Sequence, residues 1–397
     1  MSPGRTDEEP GSRFANFSKN LILLLTTLAL LLVVLEIGVR VLTDVPPTIG
    51  VRDPVIGKKH HPNFAGKVFV DEAGREVFLR FNGEGFRGPE VPYRRAPDAR
   101  RIAVLGDSFV AAIASDEDET AVGVLGTLFG QSHPEVRWEV QNFGVSGSST
   151  GQQLKLYREI VSRYHPDIVL CAYFMGNDFT DNSNRLSNNP RIYFELDDRG
   201  ELVQVPFSAT RSKVSAWLNL HSRFYVWQKR ANDLLQGRHD KDDRIYSTAR
   251  LEILDATWEL NERLILTLAT EVERGGARFV LVLLPDAAQV YDDVWEAILD
   301  EAGEHAGELD PTHAENRLAS FARDQGIAVV TMTGDLRQAA GGGRASDTGP
   351  DELLFFAGVG HFTARGNRLA ATAIHRFLTE EEGREILASV LADGAGP

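Results

Sequence analysis

Arg101-Ile102-Ala103-Val104-Leu105-Gly106-Asp107-Ser108 is the stretch on which the fold turns. Ile102–Leu105 is an unbroken apolar run, the pattern of a strand buried on both faces, and the chain after Ser108 is compatible with a helix. A strand feeding a helix is the unit of a parallel α/β sheet. A serine at the C-terminal tip of such a strand sits at the mouth of the sheet. There its hydroxyl can face a substrate, and the next helix start supplies backbone N–H groups for a developing oxyanion.

Outward from this stretch, strand and helix signals alternate. Strands are expected at Ile102–Leu105, Trp138–Phe143, Asp167–Phe174, Arg278–Leu284 and Ile327–Met332. Helices are expected at Thr120–Gly130, Gln152–Arg163, Ala249–Arg274, Glu315–Gln325 and Ala364–Leu378. The pattern gives a central parallel sheet with flanking helices over residues 98–395. Residues 180–247, rich in Ser and Asn, interrupt the alternation and read as an insertion with short elements such as Trp217–Leu235. Leaving the third strand, this insertion is expected to roof the pocket and set specificity. Residues 43–97 read as a linker from Val45-Pro46-Pro47 into a small β extension, with alternating stretches at Lys67–Val70 and Glu76–Leu79.

The N-terminus points to a membrane. Residues 1–19 form a short polar tail and 20–42 an apolar span, with every residue from Leu21 to Leu35 apolar except Thr26 and Thr27. About 20 such residues cross a bilayer. Glu36 and Arg40 share a helix face near the end of the span, where they can pair or snorkel. A cleaved signal peptide is the competing reading, but no small-residue cleavage site follows the apolar run. Arg5, Arg13 and Lys19 precede the span and Arg40, Arg52, Lys58 and Lys59 follow it, a modest asymmetry that leans toward the tail inside and the bulk of a single-pass protein on the extracytoplasmic side.

Composition narrows the partners. A net charge of −15 argues against nucleic acid, whose phosphates need a basic face. The single cysteine, Cys171, excludes an internal disulfide and a cysteine-based metal site, and its apolar surroundings make it a core thiol. Nothing in the sequence points to a cofactor or metal. His60-His61 is adjacent rather than one helical turn apart, and the group Asp178, Asp181, Asn182, Asn184 lacks a calcium-loop pattern. His375 reads as packing, Asp107 and Asp178 as capping or loop-fixing residues, and Asp116–Glu119 as a solvated approach to a helix.

Ester cleavage by serine needs a nucleophile, a base and donors where the oxyanion forms. After the second strand comes Asn142-Phe143-Gly144-Val145-Ser146-Gly147-Ser148-Ser149-Thr150, in which a glycine N–H can approach a ligand closely. After the third comes Gly176-Asn177-Asp178, whose Asn177 amide is a second donor. Before the last long helix comes Gly360-His361-Phe362-Thr363, which offers His361 as a base. Parallel strands deliver their C-terminal ends to one edge, so these blocks can converge.

With these four blocks the chain resembles the SGNH (GDSL-type) hydrolases, over roughly residues 100–380. The resemblance implies a flavodoxin-like three-layer α/β/α sandwich and cleavage or transfer of an ester-linked acyl group. It implies Ser108 as nucleophile, His361 as base, and an oxyanion hole from the Ser108 and Gly147 N–H groups and the Asn177 side chain. The anchored layout is similar to bacterial members acting on cell-envelope lipids or glycans, so an acylated small molecule, lipid or glycan is the expected substrate. One position departs from the family. An aspartate usually precedes the histidine by three residues, and here that position is Gly358. A backbone carbonyl can hold His361 instead, or Asp351 can reach it, with Asp347 and Glu352 as weaker candidates, or the site is slow.

Two alternatives stand beside this reading. Gly147-Ser148-Ser149-Thr150-Gly151 matches the nucleophile elbow of α/β-hydrolases and would make Ser149 the nucleophile, unless it merely turns the chain and caps a helix. The second alternative is an anchored ligand-binding or assembly protein that keeps the fold but little catalysis.

Overall fold

A computed structural model describes residues 10–43, 49–187, 191–206, 214, 217–218, 221–235, 243–341, 343–357 and 360–392. The extension contributes two antiparallel hairpins, β1 (Gly50–Asp53) with β2 (Gly57–His60) and β3 (Ala65–Val70) with β4 (Arg75–Arg80). Next come β5 (Ala99–Gly106), β6 (Arg137–Gly144) and β7 (Ile168–Phe174). A short hairpin, β8 (Phe194–Leu196) with β9 (Leu202–Gln204), precedes β10 (Arg278–Leu284) and β11 (Ala328–Thr331).

Five strands make one sheet in the order β11-β10-β7-β5-β6, with every neighbouring pair parallel. This is the flavodoxin-like order, which reverses direction between its first and third strands. Here those strands are β5 and β7, in register at Leu105 opposite Cys171, so their C-terminal ends flank the crevice where such sheets bind ligands.

The apolar runs are long because both faces are covered. Alternate side chains go to opposite sides. Ala103, Leu105, Val169, Cys171, Leu281 and Leu283 share a core with the helices Thr150–Glu159, Glu252–Arg274 and His313–Asp324. Ile102, Val104, Leu170, Ala172, Val280 and Val282 share the other with Ala121–Ser132 and Ala364–Glu380. The last helix shows why it forms. Thr363 caps it by accepting the Gly366 N–H at 3.2 Å, and Asn367, Ala370, Ala371, Ile374, Phe377 and Leu378 line its buried stripe.

Local rules missed some boundaries. The expected helix Gln152–Arg163 is Thr150–Glu159 followed by a tight turn, Val161–Tyr164. Helices Asp292–Ala302, Thr333–Ala339 and Arg384–Ala392 were not anticipated. Their buried faces are narrow, with Ile298 and Leu336 the buried residues of the first two, and the second is only seven residues long.

Two compact units divide the chain. One is Met1–Thr48 with Ser215–His239; the other is Ile49–Val214 with Asp240–Pro397. The stretch 180–247 contributes residues to both units. In the smaller unit, one helix runs Pro10–Leu42, and its 26-residue portion Phe17–Leu42 is long and apolar enough to cross a membrane. Glu36 pairs with Arg40 at 2.7 Å and also accepts N–H groups of Arg223 and Phe224, capping the helix Arg223–Leu235. The expected Trp217–Leu235 is helical at residues 217, 218 and 221, breaks at Ser222 and resumes as Arg223–Leu235.

The β extension belongs to the larger unit. Arg101, fully buried on β5, donates to the carbonyls of Pro92, Tyr93 and Tyr164 and pairs with Glu139. The acidic stretch Asp116–Glu119 is not simply solvated. Arg75 pairs with Asp116 at 2.6 Å and Glu119 at 2.7 Å, and Arg80 with Glu117 at 2.7 Å, so it docks the β3–β4 hairpin.

Candidate active site

Ser108 opens a short helix, Ser108–Ala111, directly after β5. Asp107 caps it, accepting the Phe109 N–H at 2.9 Å, as its sequence position suggested. His361 lies just before the Thr363 cap of the last helix. The bridge between Phe355 and Phe362 and the 2.8 Å bond from Phe356 N–H to the His361 carbonyl hold its backbone. Each of the two residues is followed by a phenylalanine. The Phe109 and Phe362 rings pack edge to face with centroids 4.9 Å apart, which sets the two segments against each other.

Ser108 Oγ is 2.8 Å from His361 Nε2, and His361 Nδ1 is 2.7 Å from Glu72 Oε2. A carboxylate only accepts, so the hydrogen sits on Nδ1 and donates to Glu72. Nε2 is then free to accept the Ser108 O–H. The three side chains form a serine–imidazole–carboxylate relay of the kind that activates an alcohol.

Glu72 corrects the expectation for the orienting acid. Asp351 lies in an exposed turn and Asp347 in another exposed turn; Glu352 offers its backbone carbonyl to Arg365. Leu354, which donates its N–H to the Tyr291 hydroxyl at 2.9 Å, pins that stretch, while Glu72 occupies the Nδ1 side of the ring. Gly358 lies outside the described residues. Glu72 comes from the turn Asp71–Ala73 between β3 and β4, and its side chain is only 9% exposed. The sequence showed here only two alternating stretches of a small β extension. The missing acid beside His361 was the only hint that one arrives from elsewhere.

The electrostatics fit a base. Burial alone would lower the His361 pKa, but the Glu72 hydrogen bond and charge, with the Asp107 charge, hold it above its ordinary value. Asp107 and Asp178 are fully buried, and burial raises both; repulsion from Asp181 adds to it at Asp107, and repulsion from Asp107 and Asp181 at Asp178. Asp178 accepts the Phe174 N–H at 2.8 Å and so fixes the loop after β7.

The glycine loop after β6 is tied to the turn that leads into Ser108. Val145 N–H and Ser148 Oγ both donate to the Gly106 carbonyl, each at 3.0 Å. A Cβ on Gly144 would lie 2.2 Å from Ala111 N, so only glycine lets β6 approach this closely. Gly147 has φ +70°, a left-handed conformation natural to glycine. The Asn177 side chain hydrogen-bonds Asp107, which brings it beside the residue preceding Ser108. Its amide carries two hydrogens, so engagement of one leaves a second donor. Ser149 is fully buried, its Oγ has no hydrogen-bond partner, and it does not cap the helix with its side chain.

Two more extension residues reach these loops without having been anticipated. Buried Arg87 donates to the carbonyls of Ala111, Ala112 and Ser115, bracing the turn where Ala112 has φ +44°. Lys58 Nζ donates to the Ser146 carbonyl at 2.6 Å. The pocket beside Ser108 is walled by Glu72, Phe109, Ile113, Phe362 and Asn367, and no described residue of 180–247 lines it. His375, read as packing, meets the Phe129 ring edge-on and bonds Ser132 at 2.9 Å. Asp181 pairs with Arg191 at 2.7 Å. His60 is buried against Phe81, and burial pushes its pKa down to about 3.

No family model and no curated protein matches this chain. Among solved structures, it is similar to an alpha/beta hydrolase from the metagenome of Lake Arreo, Spain. The identity is 14%, covering 72% of this chain and 96% of that one, with a TM-score of 0.38. A catalytic mutant of an acetylxylan esterase from Geobacillus stearothermophilus gives 14% identity, 71% and 93% coverage and a TM-score of 0.37. The acetyl xylan esterase AlAXEase gives 12%, 69%, 97% and 0.37. Likeness this distant carries nothing about chemistry, which rests on the geometry above.

Proposed function

We propose that this chain is a membrane-anchored serine esterase or acyltransferase of the SGNH type, acting at the cell envelope through an acyl-enzyme on Ser108. The observation that carries the reading is the continuous contact from Ser108 through His361 to Glu72. It favours catalysis over a pocket kept for binding alone.

In this reading Ser108 Oγ attacks the carbonyl carbon of a bound ester as His361 Nε2 takes its proton. The carbonyl electrons move to oxygen, where the Ser108 and Gly147 N–H groups and the Asn177 amide receive the negative charge. Collapse breaks the bond to the alcohol oxygen, which leaves with the proton from Nε2. Water, or a hydroxyl of an acceptor, then attacks the acyl-enzyme while His361 takes its proton, and Ser108 is regenerated. Glu72 keeps the imidazole in the productive tautomer and stabilises the imidazolium. The apolar helix Phe17–Leu42 serves as the anchor, with the larger unit outside.

A fluorophosphonate probe followed by mass-spectrometric mapping tests this. Labelling is expected on Ser108, lost in Ser108→Ala and His361→Ala and retained in Ser149→Ala. Folded protein that never labels, or that labels elsewhere, overturns the proposal.

A further inference from the structure

The extension grips the catalytic loops at several places, and one grip has a specific geometric consequence. Lys58 lies on β2, and its ammonium donates to the Ser146 carbonyl at 2.6 Å. The same nitrogen lies 3.6 Å from where a Cβ on Gly147 would sit. From the same strand, buried His60 approaches the Ser146 hydroxyl at 3.4 Å. Two side chains of β2 thus converge on one residue of the glycine loop.

The Ser146–Gly147 peptide is planar and trans, so its carbonyl and its N–H point in opposite directions. Fixing the carbonyl on a charged donor therefore fixes the heading of the Gly147 N–H. A cation on the oxygen also draws electron density from the amide and strengthens the N–H as a donor. Gly147, with φ +70°, lacks the side chain that would otherwise restrict this peptide's rotation; the turn bond from Ser148 N–H to the Val145 carbonyl at 2.9 Å and the Lys58 clamp hold it between them.

We propose that Lys58 is a positioning residue of the oxyanion hole, holding the Ser146–Gly147 peptide so that the Gly147 N–H faces the reacting carbonyl. The proposal rests on the reading of Gly147 as an oxyanion donor. With Glu72 orienting the base, it makes the β extension a working part of the active site on both sides of the nucleophile.

The test uses the full chain with Lys58→Met, Lys58→Gln and Lys58→Arg, assayed on an aryl ester and against an arylboronic acid, which mimics the tetrahedral state. Loss of a whole oxyanion donor costs about 10²–10³ in kcat, and loss of its clamp is expected to cost roughly 10–100-fold. The methionine variant should lower kcat by that factor, leave KM within about twofold, and weaken boronate binding by the same factor as kcat/KM. Arginine should restore most of the loss, and glutamine, a neutral donor, only part of it. The acid limb of the pH profile, set by His361, should not move. Unchanged kcat and boronate affinity in folded Lys58→Met or Lys58→Gln, or a rise in KM alone, overturns the proposal. Ser108→Ala and His361→Ala run in parallel separate the two failures. If they retain turnover, the esterase reading itself is wrong; if they abolish it while Lys58→Met is normal, only the clamp is wrong.

Discussion

Glu72 and His361 stand 289 positions apart in the chain, and a 2.7 Å contact from Oε2 to Nδ1 joins them. The carboxylate at Nδ1 of His361 is therefore delivered by the β3–β4 hairpin, outside the sheet whose β5 leads into Ser108, and in the proposed mechanism it orients the base.

Removing this acid should alter both rate and pH dependence. Imidazolium cannot take the Ser108 proton, so activity falls below the His361 pKa, which Glu72 helps to raise. In Glu72→Ala, burial dominates and the pKa drops, so the acid limb of kcat/KM should shift to lower pH. The plateau should fall by about 10²–10⁴, the range for a lost orienting acid. Added acetate should recover part of the rate. A profile that neither falls nor shifts would show that Glu72 does not act on His361. The raised folded pKa also means that this pairing stabilises the fold fully below about pH 6.5 and progressively less as pH rises through the folded value.

The hairpin's hold depends on ion pairs. Arg75 beside Asp116 keeps that carboxyl below its usual range. A lowered pKa gives a contribution present above about pH 4 that is lost as pH falls through the folded value. Single exposed pairs are weak, so Arg75→Ala alone should change kcat by less than about twofold. The double variant Arg75→Ala/Arg80→Ala should lower kcat further and raise hydrogen exchange in residues 65–80. Full activity and unchanged exchange in the double variant would count against a docking role.

Gly144→Ala tests how closely β6 presses on the helix Ser108–Ala111. The new Cβ would meet Ala111 N at 2.2 Å and Val110 C at 2.6 Å, both backbone atoms. Such overpacking should cost about 1–3 kcal/mol in denaturant unfolding and depress kcat more than KM. Gly130→Ala, at a helical glycine with nothing within 4 Å, is the control and should be neutral or slightly stabilising.

Topology can be read with thiol chemistry, because the native Cys171 is buried. Thr127→Cys, on an exposed face of the helix Ala121–Ser132, should react with a membrane-impermeant maleimide on intact cells. Ser2→Cys should react only after lysis. The reverse pattern would invert the proposed orientation.

Residue order alone determined much of this protein. The apolar runs within β5, β7 and β10 carry their own burial signal because a sheet covered on both faces favours apolar residues on both sides of its strands. Parallel connectivity then obliges Ser108, Gly147 and Asn177 to follow strand ends at one edge of the sheet. Tertiary structure decided what is not local. Alternation at Lys67–Val70 and Glu76–Leu79 says nothing about which face of another segment the resulting β3–β4 pair covers. Only folding brings Glu72 to His361, Lys58 to Ser146 and Arg87 to Ala111, since each contact depends on where the extension wraps rather than on any local pattern. The same cause split residues 180–247 between two units: a helix such as Arg223–Leu235 finds its partner through the Glu36 cap, which no nearby residue announces.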